Sequence, residues 1–100
     1  FVFNDLLGST NIDTITDFAS GIDRMTLSTG AFVGIGATGA LGAARFVLGT
    51  AAVDAADRII YDKATGKVYF DADGTGATAK VQFAQLGINT TLVHTDFLVI

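Results

Sequence analysis

Aspartate carries most of the chemistry this chain can offer. All ten acidic residues are Asp and none is Glu, and two groups of them are spaced for joint action. In the first, Asp13, Asp17 and Asp23 bracket a corner that reads Asp17-Phe18-Ala19-Ser20-Gly21-Ile22-Asp23. Gly21 supplies the backbone freedom of a tight reversal, so Asp17 and Asp23 fall on either side of one turn. Carboxylates about 5–6 Å apart repel unless a cation or hydrogen bonds compensate them. Calcium, a hard cation that prefers oxygen ligands, is one answer. Pairing of Arg24 with Asp13 or Asp17 is the other.

The second group is Asp71-Ala72-Asp73-Gly74-Thr75-Gly76. Oxygen ligands at alternate positions with Gly at the sixth match the first half of an EF-hand loop, but the twelfth position is Gln82 and strands flank the loop. A looser calcium site built from Asp71, Asp73 and the Thr75 carbonyl is the metal reading. An Asx-stabilised hairpin loop that needs no ion is the alternative. Asp54 and Asp57 flank a small loop, where Asp57 caps a turn or pairs with Arg58.

Other chemistries lack their parts. His94 is the only histidine and there is no Cys, so zinc sites and thiolate catalysis are excluded. Ser9, Ser20 and Ser28 are the only serines, and none lies in a Gly-x-Ser-x-Gly elbow. Gly34-Ile35-Gly36-Ala37-Thr38-Gly39 spells a dinucleotide fingerprint, but in a Gly/Ala-rich stretch with no useful helix after it. The chain is therefore expected to be non-catalytic. Six scattered basic residues, a net charge of −4 and a pI near 4.4 argue against nucleic acid. No apolar run reaches the ~18–20 residues of a membrane span, so stable membrane insertion is not expected.

The elements that must position these residues read as strands. Half the residues are hydrophobic and 16% are charged, which suits one packed domain over residues 1–100. Asp, twelve Gly and thirteen Thr favour strands joined by turns. Alternation predicts strands near 12–18 and 23–28, after a strand tail Phe1-Val2-Phe3 and a turn at Asn4-Asp5. Residues 28–42 form a loop, with one short helical turn near Thr38 to Ala44. Arg45 to Leu48 is a strand and Ala51 to Ala56 a loop or short turn. Runs 58–62, 67–71 and 79–84 form a meander, the first hairpin closing through Lys63-Ala64-Thr65-Gly66 with Gly66 left-handed. Phe97 to Ile100 is a last short strand. The expected fold is all-β: antiparallel strands and hairpins continuing a β-roll or β-sandwich, with at most short helical turns. There is no Pro to protect edge strands.

Several of these segments together resemble the C-terminal domain of RTX, hemolysin-type calcium-binding exoproteins, and are similar to the serralysin C-terminal region. They are Phe1-Val2-Phe3, Asp13 to Leu27, Asp57 to Asp62, Tyr69 to Gly74, and Asp96-Phe97-Leu98-Val99-Ile100. The glycine-rich nonapeptide that builds calcium β-rolls is absent, so the family's main calcium sites do not carry over. The resemblance implies that such repeats lie upstream and that the chain is a piece of a longer polypeptide. It also implies a secreted, extracellular location and calcium as cofactor. Asp96 to Ile100 would then be an uncleaved signal for type I secretion machinery. The implied function is a non-catalytic, calcium-associated folding and secretion module. An extracellular adhesion or ligand-binding β-domain, using loop 30–44 as its contact surface, is the alternative.

Overall fold

Nine strands, eight of them no more than four residues long, build two sheets in the computed structural model, which describes residues 2–3, 12–76 and 79–100. They are β1 (Val2–Phe3), β2 (Asp13–Ile15), β3 (Met25–Leu27), β4 (Gly39–Ala40), β5 (Phe46–Leu48), β6 (Ile59–Asp62), β7 (Lys67–Phe70), β8 (Val81–Leu86) and β9 (Phe97–Val99). The helical content of the described residues is two 3-10 turns, Ala43–Arg45 and His94–Asp96. The fold is all-β. The expected turn at Asn4-Asp5 lies outside the described residues.

One sheet has the order β1-β3-β9-β4 and the other β2-β8-β7-β6-β5. The meander β6-β7-β8 is antiparallel, as its short connections require. Much of the rest is parallel: β1 with β3, β3 with β9, β2 with β8, and β5 with β6. The sheets are thus mixed, where alternation alone suggested antiparallel pairing throughout. The reason is the path of the chain. It crosses from β1 in one sheet to β2 in the other and returns as β3 beside β1, and a chain that crosses over and returns runs in the same direction each time.

The hairpin between β6 and β7 follows from local chemistry. The amides of Thr65 and Gly66 both donate to the Asp62 carbonyl, at 3.2 and 2.7 Å, and Gly66 sits at φ +78°. The Leu86 amide donates to the Gly66 carbonyl at 2.7 Å, and a Cβ on residue 66 would overlap the Leu86 carbonyl. Glycine is therefore required twice, by conformation and by space.

β8 lies two residues later than its expected run. Val68 pairs with Ala84 and Tyr69 with Gln82, so Phe83 is the extra residue of a bulge. The bulge breaks alternation and turns both Phe83 and Ala84 inward. Between the sheets lies one core. Phe83 meets Phe3 of β1 edge-to-face at 5.2 Å and Phe32 at 5.0 Å, and Phe32 meets Phe70 at 5.2 Å. Edge-to-face rings place positive edges on negative faces, a favoured geometry at this spacing. At the other end Phe46 of β5 packs on Phe97 of β9 at 5.7 Å. These contacts stack the sheets so that β1 and β2 lie at the same end. The Gly/Ala-rich loop is part of the core as well, since Phe32, Ile35 and Leu41 are buried and Val33 is its exposed large apolar side chain.

Candidate functional site

The acidic corner is organised by hydrogen bonds. Ala19 donates its amide to Asp23 Oδ2 at 2.9 Å, while the amides of Ile22 and Asp23 donate to the Ala19 carbonyl at 3.1 and 2.8 Å. Gly21 takes φ +82°, the left-handed reversal expected of it. Asp23 thus closes its own turn. Asp13 and Asp17 are both exposed, Asp13 on β2 and Asp17 just past that strand's end. Among the described residues, no three Asp or His side chains gather as a metal-holding group, so Asp13, Asp17 and Asp23 do not form a joint ligand set in this conformation.

The loop after β7 is tighter. Asp71 is only 6% exposed, and its amide donates to the Arg58 carbonyl at 2.8 Å. Its Oδ1 accepts the Asp73 amide at 3.3 Å, an Asx turn that folds the loop over the carboxylate. Gly74 is buried at φ +65°, and a Cβ there would stand 2.5 Å from the Asp54 carbonyl oxygen. The 71–76 loop is therefore pressed against the 54–57 turn. Burial pushes the Asp71 carboxyl above its ordinary value; the Asp73 amide draws it partly back, and the Asp73 carboxylate beside it pushes it up again. A cleft of about 360 Å³ opens here, lined by Asp71, Gly74, Thr75, Gly76, Lys80 and the Ala51-Ala52 pair. Lys80, at its rim, lies 4.9 Å from the centroid of the Tyr69 ring. Of the two loop carboxylates only Asp71 lines this cleft, and the described residues gather no metal-holding group here either. Thr75 is exposed and brings its carbonyl to the same loop.

The neighbouring turn is self-capped. Asp54 Oδ1 accepts the amides of Ala56 and Asp57, at 2.9 and 3.1 Å, and Asp57 Oδ2 accepts those of Val53 and Asp54, at 2.8 and 3.1 Å. Asp57 caps as one of its two expected roles required. Arg58 turns instead to the carbonyls of Gly34, Ala55 and Asp57. His94 donates from Nδ1 to the Leu41 carbonyl at 2.8 Å. The Gly34–Gly39 motif leads into β4 and then a single 3-10 turn, not an α-helix, which removes the phosphate-binding terminus a dinucleotide fingerprint needs.

Asp96 has a role that spacing did not reveal. It is 2% exposed, and its Oδ2 accepts Ser20 Oγ at 2.6 Å and the Val93 amide at 2.9 Å, while Oδ1 accepts the Gly21 amide at 2.9 Å. A buried carboxylate with three donors is a charge-assisted junction. It ties the 93–96 turn to the acidic corner more than seventy residues earlier. The segment after it is interior too: Phe97 and Val99 are buried, and β9 lies between β3 and β4. Among the described residues no helix is long and apolar enough to cross a membrane. Comparisons with protein-family models, with curated proteins and with solved structures find no match.

Proposed function

We propose that this chain is a non-catalytic C-terminal folding and type I secretion module of an extracellular, calcium-associated protein. The observation that carries the reading is the path β1→β2→β3, a complete coil whose return strand pairs in parallel with its first. β2 also pairs in parallel, with β8, though through a connection of about seventy residues and not a single coil. Among the described residues, both β1 and β2 are outermost in their sheets, at one end of the molecule. A preceding coil of a parallel β-roll would add one strand to each and cover both edges, which is how an upstream repeat domain would join. An uncovered sheet edge is an aggregation hazard in general.

Calcium enters at Asp71, Asp73 and Thr75, where an ion would hold in ionised form a carboxylate that burial disfavours. The exposed Asp13 and Asp17, with Asp23, add negative charge that calcium screens outside the cell. Asp96 to Ile100 serve as the export signal while the domain is unfolded, and become a sheet strand once it folds. The test is export of the parent polypeptide through a type I exporter after removal of Asp96 to Ile100. Retention in the cell is the expected result; undiminished export would sink the signal assignment.

A further inference from the structure

We infer that Asp96 is a latch: once the chain folds, it locks the 97–100 segment inside the fold and so withdraws that segment from a receptor reading an extended apolar peptide. The inference rests on the secretion reading for the receptor, but the latch itself stands on geometry. β9 is paired on both edges, to β3 through Met25↔Phe97, Thr26↔Leu98 and Leu27↔Val99, and to β4 through Gly39↔Val99 and Ala40↔Leu98. Beyond the strand, Ile100 donates its amide to the Leu27 carbonyl and accepts the Thr29 amide, each at 2.9 Å. Backbone groups and side chains that an extended-peptide receptor would use are already engaged. The native state is therefore silent toward such a receptor.

Entry into this slot is controlled at Asp96. The three groups that converge on its carboxylate, Ser20 Oγ and the amides of Gly21 and Val93, are all donors. Without the carboxylate these three donors lose their shared acceptor and the charge-assisted bonds that tie residues 20–21 to the 93–96 turn, a loss in free energy for each bond. The turn from residue 19 to 23 that presents the Ser20-Gly21 donors is closed by the Asp23 carboxylate on the Ala19 amide, together with the amides of Ile22 and Asp23 on the Ala19 carbonyl. Asp23 is thus a positioning residue for the latch, and the acidic corner and the apolar segment act as one device.

The absence of cysteine makes the test clean. Val99→Cys reports on β9 and Val68→Cys on β7, both sites being at most 1% exposed. Thiol labelling is followed in each single-cysteine protein with and without Asp96→Asn. The substitution keeps the volume but turns an amide nitrogen toward donors. Loss of one or two charge-assisted hydrogen bonds predicts labelling at position 99 about 10–100-fold faster, with a markedly smaller change at position 68. Equal acceleration at both positions, or none at either, would overturn the latch. Should Asp96→Asn fail to fold, Ser20→Ala, which removes one donor and leaves the carboxylate, decides the matter by the same comparison. A selective effect at position 99 combined with normal export of the 96–100 deletion would leave the latch standing and refute the secretion reading alone.

Discussion

Phe83 is the residue on which the two-sheet account can be tested most quantitatively. It is 1% exposed, it occupies the bulge of β8, and its ring meets Phe3 at 5.2 Å and Phe32 at 5.0 Å. Truncation of a buried Phe to Ala costs about 3–5 kcal/mol. A domain of this size has roughly 5–15 kcal/mol in total, so Phe83→Ala would remove at least about a fifth of it. At about 4–8 °C per kcal/mol the expected fall in Tm is about 12–40 °C. The milder Phe83→Leu, combined with Phe3→Leu in a double-mutant cycle, isolates the contact between β1 and β8. Edge-to-face pairs contribute about 0.5–1.5 kcal/mol beyond their buried area, and that is the predicted coupling energy. The assay is reversible urea unfolding followed by far-UV circular dichroism, with the slope unchanged across the set. Strict additivity of the two single effects would refute the claim that this ring pair joins β1 to the opposite sheet.

Two further substitutions probe the hairpin and the acidic loop. Gly66→Ala places a side chain at φ +78° against the Leu86 carbonyl, so a loss of at least about 1–3 kcal/mol is expected in thermal unfolding, and an unchanged Tm would contradict the turn. Asp71→Asn addresses the raised Asp71 pKa. A folded-state value above the unfolded one means that ionisation of Asp71 costs stability as pH climbs through that window, and the cost persists above it. In chelator the variant should therefore be more stable than the parent at neutral pH, and the difference should close as pH falls below about 3.9, where both states are protonated. A difference independent of pH would refute the assignment.

The parts of this fold that were legible in the sequence are those fixed by neighbours. Two strand-like runs, Arg58 to Asp62 and Lys67 to Asp71, with a glycine at residue 66, are enough for a hairpin, because the turn and both strands lie within fifteen residues. Gly21 announced its reversal in the same way. The Phe83 bulge was not legible, since a strand with one extra residue has the same composition as one without. Nor were the parallel pairings, which join β2 to β8 across about seventy residues and leave no local signal. Among the candidate sites, Asp71, Asp73 and Thr75 share a loop and stay together. Asp13, Asp17 and Asp23 were linked by strand spacing, yet the first two face solvent while the third bonds to its own turn. Asp96 was legible as a charge ahead of an apolar run, though its partners Ser20 and Gly21 were not. A carboxylate reveals its donors only when the chain has closed around it.

The measurement closest to the central claim is thermal unfolding of this chain in calcium, in chelator, and in magnesium as control. Binding to the native state alone adds RT ln(1 + [Ca²⁺]/Kd), about 2.7 kcal/mol at a hundredfold excess over Kd, or roughly 11–22 °C in Tm. The account predicts a rise of that order in calcium and not in magnesium, abolished by Asp71→Asn with Asp73→Asn. Identical midpoints in calcium and chelator would contradict it, and would make these carboxylates turn formers with no ion to hold.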